Sequence, residues 1–121
     1  MFTIKIADKI IDIHNHYDYI EKLSAAYIYE KTTNMTSDID IEVTYEEILE
    51  EQSGENTYNK DYLESLAIYR KICNEVINDN TILFHCSAMM IDGKAYLFTG
   101  PSGTGKSTHV RLWKEHFKSR V

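Results

Sequence analysis

Residues 100–107 read Gly100-Pro101-Ser102-Gly103-Thr104-Gly105-Lys106-Ser107, a glycine, four intervening residues and then Gly-Lys-Ser. That is the spacing of a phosphate-binding loop. Glycines let the backbone turn tightly around a polyphosphate, so the N–H groups from Gly103 to Thr108 can point inward at its oxygens. Lys106 supplies a compact positive charge for the β and γ phosphates, and the Ser107 hydroxyl can ligate Mg²⁺. The ligand this chemistry fits is ATP with Mg²⁺, held by Gly100, Ser102, Gly103, Thr104, Gly105, Lys106, Ser107 and Thr108, with Lys106 also stabilising transferred charge. A chain of this length meets the pattern by chance roughly a few times in a thousand at background composition, so the flanking elements decide its meaning.

Those elements fit the strand, loop, helix order that such a loop requires. Ala95-Tyr96-Leu97-Phe98-Thr99 has strand composition. Thr108 to Lys118 has helical spacing, with Val110, Trp113 and Phe117 at i, i+3 and i+7. Its late cations suit the helix dipole. Upstream, Thr81 to Ile91 reads as a long apolar strand, and Asp92-Gly93 is a strong two-residue hairpin turn.

Earlier segments also have readable periods. Phe2 to Ile6 and Ile10 to His14 alternate as two strands about an Ala7-Asp8-Lys9 turn. Tyr17 to Glu30 carries a helical face of Ile20, Leu23, Tyr27 and Ile28. Thr32 to Asp38 is a polar loop, and Ile39 to Val43 alternates strictly as a third strand. Thr44 with Glu47 forms a capping-box pattern ahead of a short helix, Tyr45 to Gln52. Asp61 with Glu64 is a weaker cap opening the longest helix, Tyr62 to Ile77. Its expected apolar stripe is Tyr62, Leu66, Tyr69, Cys73 and Val76, widened by Leu63, Ile72 and Ile77. Asn78-Asp79-Asn80 stops it.

Composition narrows the function classes. The chain has 121 residues, 43% of them apolar, two cysteines and one proline. That is one small domain, or a domain plus a fragment. Cys73 and Cys86 are too few for a disulfide framework. There is no signal-like leader and no apolar run long enough to span a membrane, so a cytoplasmic protein is expected. Residues 1–80 carry 17 Asp/Glu against 7 Lys/Arg, while residues 81–121 carry 2 against 6. The acidic part argues against nucleic acid and anionic membranes as partners, and the basic part is where an anionic ligand must sit.

Other reactive residues carry weaker signals. His14 and His16 fall on one face of the expected strand, but no third metal ligand is nearby. Cys86 follows His85, and in a strand the two would point to opposite faces. Asp92 is explained by its turn. His109, in the first turn of the loop helix, could touch phosphate or base.

The run Phe84-His85-Cys86-Ser87-Ala88-Met89-Met90-Ile91-Asp92-Gly93-Lys94-Ala95-Tyr96-Leu97-Phe98-Thr99 into Gly100 resembles the HPr kinase/phosphorylase catalytic domain. That domain belongs to a P-loop superfamily with ATP-dependent phosphoenolpyruvate carboxykinase. The helix Tyr62 to Ile72 also resembles uncharacterised bacterial HPr-kinase-like proteins. The resemblance implies that His85 begins a strand and lies beside the γ phosphate, a catalytic neighbour of Lys106. It implies a phosphotransferase acting on a protein or small-molecule hydroxyl. Family members continue from the loop helix into a strand bearing a metal-binding or catalytic aspartate. Here Glu115 on that helix is the only acidic residue after the loop. The expectation is therefore a chain truncated shortly after the loop, with its phosphoryl-transfer machinery incomplete.

The expected fold is α+β: a mostly antiparallel sheet with flanking helices, and a hairpin leading into the phosphate loop and a C-terminal helix, an incomplete phosphoenolpyruvate-carboxykinase-like fold. Residues 1–80 form an acidic α/β region and residues 81–121 the kinase-like core, together one domain. Three functions compete: a kinase-related ATP-binding protein cut short, a half-enzyme completed by a partner or by homo-oligomerisation, and a non-catalytic nucleotide- or anion-binding module. ATP-binding-cassette and guanylate-kinase-like proteins use a similar loop, but the acidic region before it and the Thr-His-Val-Arg-Leu-Trp continuation argue against both.

Overall fold

Strict alternation makes β1 (Phe2–Ile6) a one-sided strand, with Phe2 and Ile4 inward. A computed structural model describes residues 1–32 and 34–117. Ala7 and Asp8 both take positive φ, 49° and 62°, the turn whose twist matches a hairpin. It leads into β2 (Lys9–His14), antiparallel to β1 with Ile4 opposite Ile11. β2 is buried along Ile10, Ile11, Asp12 and Ile13 because it is the central strand. Its other neighbour, β3 (Ile39–Glu42), runs parallel, with Ile11 opposite Ile39. The first sheet is thus mixed, where an antiparallel arrangement was expected to dominate. A parallel neighbour needs a crossover of a dozen or more residues, and the segment between His14 and Ile39 supplies it.

That segment is not one helix from Tyr17 to Glu30. It forms α1 (Asp18–Leu23) and a 3₁₀ turn over Ala25–Tyr27. Ile28 then bridges Ile4, and the Tyr29 N–H donates to the Thr3 carbonyl at 2.9 Å. The outer edge of β1 offers unpaired backbone groups, and pairing with them outcompetes a further helical turn.

Asp12 sits inside this corner of the sheet. It accepts the Thr3 hydroxyl at 2.6 Å and the Lys31 ammonium at 2.5 Å. Burial pushes its carboxyl pKa up, but hydrogen bonds from Lys31, Thr3 and Ser37 outweigh this and hold it below the usual range. Because the folded pKa is the lower one, the stabilisation is complete above the unfolded carboxyl's titration and is lost as pH falls through the folded value. Asp12→Ala strands Lys31 and is expected to cost about 3 kcal/mol at neutral pH. Urea unfolding should show this deficit shrinking as the pH is taken below about 4.

The Thr44–Glu47 capping box forms as expected, Glu47 N–H to Thr44 Oγ1 at 3.2 Å and Thr44 N–H to Glu47 Oε2 at 2.7 Å. It opens α2 (Tyr45–Glu50). α3 (Lys60–Ile77) begins one residue after Asn59, so Asp61 and Glu64 make no box. Its buried face is Leu63, Ala67, Ile68, Ile72 and Val76, whereas Tyr62 and Tyr69 stay 38% exposed. Leu63, Ile72 and Val76 are therefore buried as expected, while Ala67 and Ile68 join them and Tyr62, Tyr69 and Ile77 of the expected stripe stay outside. Aliphatic side chains take most of the interior, with Glu64 and Ser65 buried beside them, and tyrosines keep their hydroxyls at the wet margin. Asn80, at φ 55°, closes the helix, with Thr81 N–H to Val76 O and Asn80 N–H to Ile77 O both at 3.1 Å. α3 packs against α1, α2 and β3 around a core of Ile11, Ile13, Ile20, Ile41, Ile48 and Ile68.

The chain divides into two compact units, Met1–Ile82 and Leu83–Val121. In the second, β4 (Ser87–Ile91) and β5 (Lys94–Phe98) pair antiparallel, Ser87 opposite Phe98. Asp92 and Gly93, at φ 49° and 74°, make the expected turn. The strand expected from Thr81 starts only at Ser87. Past Phe98 the partner strand leaves into the loop, so the register leaves Cys86 and its predecessors without a ladder partner among the described residues. α4 (Lys106–Phe117) lies against β4, with Val110 and Met89 buried. Trp113 packs on Tyr96 and Phe98 at ring separations of 5.7 and 5.5 Å. The expected end of this helix at Lys118, and Thr33 in the polar loop, lie outside the described residues.

The fold is α+β, with four α-helices among the described residues, one mixed three-stranded sheet and one antiparallel hairpin. No helix among the described residues is long and apolar enough to cross a membrane.

Candidate functional site

The second unit places a seven-residue loop, 99–105, between the end of β5 and the start of α4. Gly103 and Gly105 both have φ of 83°, a region that L side chains enter at a cost of about 1–2 kcal/mol. A Cβ at Gly103 would meet nothing within 4 Å, so its requirement is purely one of backbone conformation. Thr104 ties the loop's first half together, its hydroxyl donating to the Pro101 carbonyl at 2.9 Å. A Cβ at Gly100 would stand 3.3 Å from that hydroxyl oxygen.

The first intrahelical bond of α4 joins the His109 N–H to the Gly105 carbonyl at 2.9 Å. The N–H groups of Lys106, Ser107 and Thr108 therefore belong to the first helical turn, where no intrahelical carbonyl can reach them. They sit at the positive end of the helix dipole. The Lys106 ammonium folds over the loop and donates to the Gly100 and Pro101 carbonyls at 2.8 and 2.9 Å. An arriving anion would exchange those neutral acceptors for charged ones.

A cleft of about 610 Å³ opens on one side of the loop, lined by His85, Cys86, Ser87, Ser102, Gly103, Gly105, Lys106, Ser107 and Thr108. Of the residues expected to bind nucleotide, Gly100 and Thr104 do not line it: the Gly100 carbonyl accepts from Lys106, and Thr104 lines a different hollow. His85 lines the cleft as expected, although it precedes β4 and does not begin it. Its exposed position follows from the late start of that strand. For the same reason Cys86 lines the cleft with His85. The alternation expected to separate Cys86 from His85 does not apply outside a strand, and Ser87, which also lines the cleft, was not among the residues singled out in the sequence.

A second hollow, of about 480 Å³, flanks the loop and is lined by Phe98, Thr104, Lys106, Thr108, His109 and Leu112 among others. His109 packs edge-on to Phe98 with ring centres 4.8 Å apart, so it sits on this flank and not in the larger cleft. Asp92 occupies its turn, and neither it nor Glu115 lines the cleft.

The histidine pair of the first unit does not form a ligand set. His14 on β2 approaches Asp40 at 3.2 Å. His16 lies beyond the end of that strand, stacks on Tyr45 at 4.6 Å, and bonds the Val43 carbonyl through Nε2 at 2.9 Å. No cluster of three or more metal-ligating side chains occurs among the described residues.

Comparison with models of known families, with curated proteins and with solved structures gives no match in any of the three.

Proposed function

We propose that residues 100–108 bind the triphosphate of ATP with Mg²⁺, in a cytoplasmic protein related to HPr-kinase-like phosphotransferases of the phosphoenolpyruvate-carboxykinase-like fold. One observation carries this reading. The strand–loop–helix junction presents Ser102, Gly103, Gly105, Lys106, Ser107 and Thr108 to one cleft, which His85 also lines. The residues fit the ligand. Three first-turn N–H groups and a lysine ammonium supply donors to phosphate oxygens, and the Ser107 hydroxyl is a hard oxygen suited to Mg²⁺. Bound Mg²⁺ would neutralise charge between the β and γ phosphates. Lys106 would hold charge developing on the transferred group, and His85 would stand beside it. The accepting hydroxyl would belong to a protein or a small molecule.

Titration calorimetry of Mg-ATP against the wild type and Lys106→Ala tests the reading, and equal heats from the two would remove it. Gly103→Ala should weaken Mg-ATP by about tenfold, because the loop must then hold an alanine at positive φ.

A second reading is a half-site completed by another chain, through a partner or homo-oligomerisation. On the hairpin face away from α4, Met90 and Leu97 are 45% and 55% exposed, and Met89 and Val110 are the only buried apolar side chains among the described residues of this unit. A hairpin and one helix bury little on their own. Nucleotide affinity that rises with protein concentration, in step with assembly seen by light scattering, would favour this reading. Concentration-independent binding by a monomer, without transfer, would favour a non-catalytic anion-binding module.

A further inference from the structure

The hollow of about 480 Å³ beside the loop differs in chemistry from the phosphate cleft. No aliphatic or hydrocarbon aromatic side chain lines the cleft. The hollow has Phe98, His109 and Leu112 on its walls, together with the hydroxyl-bearing Thr99, Thr104 and Thr108. Gly105, Lys106 and Thr108 line both. His109 and Leu112 stand at i and i+3 on α4, and Thr108 and Leu112 at i and i+4, so the three share one stretch of helix surface.

The His109 ring is held in place before any ligand arrives. It packs edge-on to Phe98 at 4.8 Å and tilted against Trp113 at 5.5 Å. It nevertheless stays exposed, and Leu112 is 44% exposed beside it. A side chain already fixed by packing loses little freedom on binding. A fixed flat ring next to an aliphatic side chain offers a planar aromatic ligand a surface to stack on.

A nucleotide joins two unlike chemistries, a polyphosphate that needs donors and charge and a base that needs a flat apolar contact. In a loop of this kind the lysine serves the β and γ phosphates and the backbone N–H groups reach the α phosphate. Thr108 closes the run of N–H groups and is also a wall of the hollow. A nucleoside leaving the α phosphate there meets His109 and Leu112 first. Resting on the nucleotide reading above, we infer that this hollow holds the base of the bound nucleotide, stacked on the His109 ring and laid against Leu112.

Titration calorimetry on the whole chain tests this with Mg-ATP and with the Mg²⁺ complex of ribose 5-triphosphate, which keeps the sugar and all three phosphates and lacks only the base. The wild type is expected to bind Mg-ATP about tenfold more tightly, toward the lower end of what base stacking contributes, because the surface is exposed. The His109→Ala, Leu112→Ala double variant should bind the two ligands alike, and should hold ribose 5-triphosphate within about twofold of the wild type. His109→Phe keeps a flat ring and should keep the preference. Equal affinity of the wild type for the two ligands would overturn the inference and leave the phosphate loop standing. A preference that survives the double variant would also overturn it, as would a double variant that loses both ligands in equal measure. Adenosine bound by the wild type and not by the double variant, with ribose 5-triphosphate bound by neither, would keep the hollow and sink the phosphate reading. A wild type that binds none of the three ligands would end both.

Discussion

Lys106→Ala is expected to weaken Mg-ATP binding by about 10- to 100-fold. A hydrogen bond to a charged group is worth about 1.5–3 kcal/mol, and each 1.4 kcal/mol is a factor of ten. The lower end of that range reflects what Lys106 does in the free protein. Its ammonium already bonds the Gly100 and Pro101 carbonyls, so phosphate replaces existing partners and does not fill a void. Alanine removes both roles. It deletes the charge proposed to meet the γ phosphate and frees the Gly100 and Pro101 carbonyls that the ammonium now bonds. Inorganic tripolyphosphate should lose affinity in parallel with ATP, since the lysine acts on phosphate alone. Calorimetric titrations with both ligands check this. Tripolyphosphate indifferent to the substitution would mean the anion binds elsewhere.

Glu64→Leu is expected to destabilise the first unit by about 3–4 kcal/mol. Glu64 is fully buried on α3. Its carboxyl oxygens accept the N–H groups of His16 at 2.5 Å and Tyr17 at 3.0 Å, the residues that open α1. Tyr17 offers α1 no side-chain cap of its own, so a residue 47 positions away in sequence does the capping. An unsatisfied buried donor costs about 1–3 kcal/mol, and leucine abandons two. A unit of 82 residues has a total stability of about 4–12 kcal/mol, so the variant should sit near the edge of unfolding. Glu64→Gln keeps one acceptor and should lose about half as much. Urea denaturation followed by helical circular dichroism measures both. Wild-type midpoints for Glu64→Leu would show that the two helices are not joined through this side chain.

The features legible in the sequence are those whose cause is local. Gly103 and Gly105 announce a tight glycine turn between strand and helix because its conformation is set within a few consecutive residues. Asp92-Gly93 announces its turn because positive φ is needed at both positions, and Thr44 with Glu47 announces a cap because the two partners are three residues apart. What the sequence could not disclose depends on distant partners. The first sheet is mixed because β3 pairs parallel with β2, and α1 stops at Leu23 because Ile28 and Tyr29 pair with the edge of β1. Glu64 looked like a helix-start residue and is a tertiary cap. His85 and Cys86 looked like opposite faces of a strand, but β5 ends opposite Ser87, leaving both side chains on the same cleft.

By itself, then, the order of residues specified a junction of strand, glycine turn and helix, since its backbone conformation is set within a few consecutive residues. Only the packed chain decided which neighbours surround that junction. Long-range strand register sets where β4 begins, and with it whether His85 and Cys86 share a cleft with the loop.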